Sequence, residues 1–106
     1  EQLGITWYVD GKPVFKLVKE RIDGGIYIIP GRKPVENVPI RLRLIVKGDH
    51  WIAQYRPAGE KEFLTAAEGT LPQPNNDEVS LQCYHGPEKE EHWMRFEDFR
   101  IVRWPQ

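Results

Sequence analysis

Ile40-Arg41-Leu42-Arg43-Leu44-Ile45-Val46-Lys47-Gly48-Asp49-His50-Trp51-Ile52-Ala53-Gln54-Tyr55-Arg56 is the stretch that decides the fold. Its period is two. Positions 40, 42, 44 and 46 are apolar and share one face of an extended strand, while Arg41, Arg43 and Lys47 take the other. Gly48-Asp49 supplies a tight turn. Beyond it Trp51, Ala53 and Tyr55 occupy one face, and Ile52, Gln54 and Arg56 the opposite one. Two alternating runs around a two-residue turn predict a β-hairpin.

The same period continues in both directions. Upstream, Leu3 to Val9 reads as a strand ending at an Asp10-Gly11 hairpin signal. Val14 to Glu20 follows, with Phe15, Leu17 and Lys19 alternating against Val14, Lys16, Val18 and Glu20. Gly24-Gly25 turns the chain into the short apolar run Ile26 to Ile29. Pro30, Pro34 and Pro39 predict a loop over 30–39 in which neither helix nor strand ladder survives. Downstream, Ala58-Gly59-Glu60 turns into a strand over Glu62 to Ala66, and Leu71 to Asp77 is a second loop. Glu78 to Tyr84 and Trp93 to Trp104 read as the last two strands. Ala66-Ala67-Glu68-Gly69 is the one helical temptation, and it is too short to nucleate. Seven or so short strands with turn signals between them predict an all-β antiparallel sandwich or barrel, in one domain over residues 1–106.

Bulk properties narrow the function. Fifteen basic residues balance sixteen acidic ones for a formal charge of -1, so the net basic character expected of a nucleic-acid binder is missing. No run approaches the ~18 apolar residues of a membrane helix. Cys83 is the only cysteine, which rules out an internal disulfide and a cysteine-based zinc site. In an apolar strand it reads as a small hydrophobe. His50, His85 and His92 lack metal-ligand spacing, so no metal site is expected. The chain opens at Glu1, and the lack of a signal peptide says little about compartment.

Several segments together resemble concanavalin A-like lectin/glucanase (laminin G-like) jelly rolls, of the kind found beside or inside bacterial glycoside hydrolases. Leu3-Gly4-Ile5-Thr6-Trp7-Tyr8, an Asp-Gly turn and Val14-Phe15-Lys16-Leu17 look like that family's aglycone-facing strand pair. Arg41-Leu42-Arg43-Leu44, the Gly-Asp turn and Ile52-Ala53-Gln54-Tyr55-Arg56 look like its central hairpin. Glu62-Phe63 and Gly69 fall where its next strand and exit would lie. Val79 to Pro87, followed by Phe96-Glu97-Asp98-Phe99-Arg100-Ile101, is similar to its closing strands. The resemblance covers the later part of such a domain. It implies an antiparallel jelly roll that is incomplete and needs a second polypeptide or a self-dimer to cover its edges. It also favours an extracellular or periplasmic location. No cofactor is expected, although a structural calcium at an edge would fit the family, with Asp98 as its candidate ligand.

What the resemblance implies about function is carbohydrate binding. Sugar recognition needs aromatic platforms for ring faces and planar polar groups for hydroxyls. The strand faces offer Lys16, Arg43 and Gln54, while Gln82 and Tyr84 share a face, with His85 opening the adjoining loop. Trp7 is the candidate platform. These seven residues form the expected glycan site, and the alternative for each is a solvated sheet face or a core position. A hydrolase would need two carboxyl groups about 5–9.5 Å apart across a cleft. Glu20 stands alone, Glu60 and Glu62 flank a turn, Glu88, Glu90 and Glu91 form a charge run, and Glu97 and Asp98 point to opposite faces. No catalytic pair is therefore expected within the chain. The competing readings are a part of a glycoside hydrolase, or a structural or interaction domain without ligand.

Overall fold

The structure is a computed structural model. It describes residues 2–70, 77–84, 96–97 and 100–101, with Val9 and residues 77–84 described at the level of the backbone. Eight strands run in chain order: β1 (Gln2–Val9), β2 (Lys12–Ile22), β3 (Gly25–Ile29), β4 (Lys33–Pro34), β5 (Ile40–Lys47), β6 (His50–Pro57), β7 (Leu64–Thr70) and β8 (Asp77–Tyr84). They form a five-stranded sheet in the order β4-β3-β2-β1-β8 and a three-stranded sheet in the order β5-β6-β7. Every pairing is antiparallel, and there is no helix among the described residues. Neighbours in each sheet are also neighbours in sequence, except that β8 returns to lie beside β1.

Turn chemistry sets the registers. Asp10-Gly11 and Asp23-Gly24 each place both central residues at positive φ (50° and 79°, 47° and 82°). That is the backbone of a type I′ hairpin turn, whose twist matches the flanking strands. Val9 accordingly pairs with Lys12, and Ile22 with Gly25. The second turn thus sits one residue earlier than the Gly24-Gly25 reading, because Asp tolerates the left-handed region and Gly25 is needed in the strand. Gly48 at φ 62° opens the β5–β6 turn, and Lys47 pairs with His50 as the alternating pattern requires.

Three strand readings are corrected. Lys33 and Pro34 pair with Ile28 and Tyr27, so a short ladder does survive inside the proline-rich segment. It survives because β4 is the described edge of its sheet, where a proline's missing N–H costs no ladder bond. The strand expected over Glu62 to Ala66 runs instead from Leu64 to Thr70 and absorbs the helical temptation. Ala66 and Ala67 owe their extended backbone to pairing with β6, which overrides local propensity. Of the expected strand over Trp93 to Trp104, the described residues Phe96, Glu97, Arg100 and Ile101 are not in a strand. The other residues of that stretch lie outside the described residues.

The two sheets pack face to face as in a β-sandwich. Leu17 and Ile28 of the five-stranded sheet, both fully buried, meet Ala53, Tyr55 and Ala66 of the three-stranded one. Large side chains from one sheet thus face mostly small ones from the other, which lets the layers interdigitate. Ile5, Phe15, Val35, Ile40, Leu42, Leu44 and Trp51 close around this cluster. The Phe15 and Trp51 rings lie 4.3 Å apart between centroids, stacking one sheet on the other. Trp51 also covers Gly69, its register partner on β7, so closely that a Cβ there would come 2.8 Å from the indole. Gly31 (φ 96°), in the β3–β4 turn, sits directly against the Ala66 backbone of β7, and at the crossover between sheets Lys19 Nζ donates to the Val38 carbonyl at 3.1 Å.

Candidate functional site

Alternation gives each sheet one face toward the core and one away from it. The seven residues expected at the site are distributed accordingly. Trp7 pairs with Phe15 and shares the strand face of Ile5, which is the core side. Its indole Nε1 is buried and has no hydrogen-bond partner among the described residues. Lys16 lies on the outer face of the five-stranded sheet. Arg43 and Gln54 are register partners on the outer face of the three-stranded sheet, on the far side of the sandwich. The β1–β8 register sets Gln82 opposite Gly4 and Tyr84 opposite Gln2. His85 lies outside the described residues. The structure therefore puts Lys16 in the same sheet as Gln82 and Tyr84 but across β1 from them, level with Ser80, brings Arg43 and Gln54 together elsewhere, and puts neither group beside Trp7.

The outer face of the five-stranded sheet is organised around Gln2. Gln2 and Glu20 are directly paired, and the Gln2 amide Nε2 donates to Glu20 Oε1 at 2.8 Å. Lys16 Nζ donates to the other end of the same amide, Gln2 Oε1, at 3.4 Å. Lys16's own register partner is Thr6, four residues from Gln2, a span of about 13–14 Å along a strand. The path between them crosses Gly4, which has no side chain to obstruct it. Gly4 is glycine for a further reason: a Cβ there would overlap the Leu17 carbonyl oxygen and come 2.8 Å from Val18 Cα. Gly4, Thr6 and Val18 are buried at the centre of the face, and Gln2, Tyr8, Lys16, Glu20 and Tyr27 are half-buried around them. Tyr27 continues the row from β3 as the register partner of Glu20. Its ring covers Gly25 on one side and takes the Arg32 guanidinium at 5.1 Å from its centroid. A carboxylate, a planar amide, an ammonium and two phenols, all half-buried, thus ring the buried centre of this face, with the first three joined by hydrogen bonds. Gln2, Glu20 and Tyr27 escape a sequence reading because their proximity depends on the β1–β2–β3 register. The two Asp-Gly turns are the signal from which that register follows.

The outer face of the three-stranded sheet is built as a cross-strand ladder. Arg43 donates through Nε (2.8 Å) and Nη2 (2.5 Å) to Gln54 Oε1, and Gln54 Nε2 donates to Thr65 Oγ1 at 3.2 Å. The chain matches no known protein-family model, no curated protein and no solved structure.

Proposed function

We propose that the protein is a non-catalytic carbohydrate-binding β-sandwich related to the concanavalin A-like jelly rolls, and that it holds a glycan on the outer face of its five-stranded sheet. The observation that carries this reading is the hydrogen-bonded row Glu20–Gln2–Lys16. A sugar presents adjacent hydroxyls that both donate and accept. A carboxylate and an amide fixed against one another match that pattern without ordering two flexible side chains on binding. The half-buried Tyr8 and Tyr27 add an apolar body and a polar tip beside the row. Gln82 and Tyr84 enter through their backbone positions next to Gly4 and Gln2.

The same row argues for binding rather than hydrolysis. Glu20 has Gln2 and Tyr27 as its two register neighbours, so no second acid faces it across β1 or β3. Glycoside cleavage needs a facing pair of carboxyls.

Affinity electrophoresis of the protein through gels containing soluble polysaccharides tests the reading. The wild-type chain is retarded by at least one polymer, and the Lys16→Ala/Glu20→Ala double variant loses at least tenfold in affinity while keeping its unfolding midpoint close to wild type. No retardation by any neutral or acidic polymer, or unchanged retardation of a folded double variant, refutes it.

A further inference from the structure

The second outer face carries a feature that neutral sugar binding does not use. Phe63, in the loop before β7, has two guanidiniums over its ring: Arg43 at 3.7 Å and Arg56 at 5.3 Å from the centroid. Arg43 is further fixed by its fork onto Gln54, which is itself held by Thr65. Among the described residues, neither arginine makes an ion pair with a carboxylate. Arg41 faces Arg56 directly across the β5–β6 ladder, and Lys47 lies further along the same strand face. Glu68, the acid on β7, lies beside His50 at 4.0 Å, one outer-face row along from Arg43 and Gln54.

We infer that Arg43 and Arg56, braced on Phe63, form a second glycan contact, on the opposite face of the sandwich from the Glu20–Gln2–Lys16 row, which cradles the carboxylate of a uronic-acid polysaccharide. This rests on the carbohydrate-binding reading and adds to it a separate contact for acidic polymers long enough to reach both faces. Guanidiniums present planar pairs of N–H donors that match a carboxylate, and Arg43 has Nη1 and one Nη2 hydrogen beyond its bonds to Gln54. The Phe63 ring has a guanidinium against it, so it braces the cations and does not serve as a platform for a sugar ring. A sulfate ester presents similar oxygen geometry, and the choice of polymers separates the two sources.

The test measures binding of the full chain to four polymers: polygalacturonate, its methyl ester, dextran sulfate and poly-glutamate. The expected result is at least tenfold tighter binding to polygalacturonate than to the methyl ester. That gain is lost in Arg43→Gln/Arg56→Gln and partly lost in Arg43→Lys/Arg56→Lys, which keeps the charge and removes the fork. Tighter binding to dextran sulfate, lost in the same Gln variant, also supports the cradle and assigns sulfate as the group. Equal affinity for polygalacturonate and its ester overturns the inference, as does an unchanged gain in the folded Gln variant. Poly-glutamate binding as tightly as polygalacturonate overturns it too, because it reduces the face to general charge attraction. Lys16→Ala/Glu20→Ala separates the two claims: if it weakens binding to ester and acid alike while the acid preference is missing, the sugar reading stands and the cradle falls. Unchanged binding in that variant, with a preference that depends on Arg43 and Arg56, supports the cradle and refutes the five-stranded face as the sugar site. Absence of binding to every polymer refutes both.

Discussion

Replacing Gly31 by alanine probes the seating of the β3–β4 turn of one sheet on β7 of the other. Gly31 has φ 96° and Gly59 has φ 94°, so an alanine is strained by its backbone at either position. That penalty is about 1–2 kcal/mol for an L-residue in the left-handed region, reduced by about 0.4–1 kcal/mol because alanine restricts the unfolded chain. The surroundings differ. A Cβ on Gly59 meets nothing within 4 Å, whereas one on Gly31 would overlap the Ala66 carbonyl oxygen, with the carbonyl carbon 2.9 Å away. Ala66 is buried in the core cluster and paired into β7, so its backbone cannot retreat without opening the sandwich. Overpacking of this kind adds about 1–3 kcal/mol. Gly31→Ala should therefore destabilise by about 1–3 kcal/mol more than Gly59→Ala, and its thermal midpoint should fall at least about 4 °C further. Urea unfolding followed by tryptophan fluorescence measures both variants on one scale. Equal destabilisation, within about 0.5 kcal/mol, would refute the seating of this turn on β7.

Three further outcomes follow from the packing and the charges. Leu17→Ala empties the centre of the cluster between the sheets and should cost about 2–5 kcal/mol in the same unfolding assay. Gln54→Ala and Thr65→Ala should each cost about 0.5–1.5 kcal/mol, and a double-mutant cycle should show them coupled, because each removes the same ladder bond. Lys19 is held below the ordinary lysine pKa, first by burial and second by the charge of Arg21. The native state therefore releases this proton earlier than the unfolded chain, and stability should rise with pH from the lowered native pKa up to the unfolded value of about 10.4. Comparing the pH dependence of unfolding in wild type and Lys19→Met should show that contribution to the slope disappear in the variant.

The fold was legible where turn chemistry and alternation agreed. Gly48-Asp49 between two alternating runs sufficed to pair Lys47 with His50 and to turn Leu42, Leu44, Ala53 and Tyr55 inward. Asp10-Gly11 did the same for β1 and β2. The reading failed where pairing, not propensity, decides the backbone. Ala66-Ala67 has no strand preference of its own and is extended because β6 pairs with it, and Lys33-Pro34 is a strand only because β3 lies beside it. The candidate site shows the same division. Lys16, Arg43 and Gln54 were identifiable as outward residues from alternation alone. That Arg43 and Gln54 lie on a different layer from Lys16 depends on which strands share a sheet, and short-range sequence pattern does not encode that. Gln2 and Glu20 stand eighteen residues apart and meet only through the register that two Asp-Gly turns impose.

The central claim, that a glycan is held on the outer face of the five-stranded sheet, is tested most directly by backbone amide chemical shifts during titration with soluble polysaccharides. The account predicts saturable shifts concentrated at Gln2–Tyr8, Lys16–Glu20, Tyr27 and Gln82–Tyr84, with an acidic polymer adding shifts at Arg43, Gln54 and Arg56. Titrations that move no amide, or that move only residues of β5, β6 and β7, would contradict it.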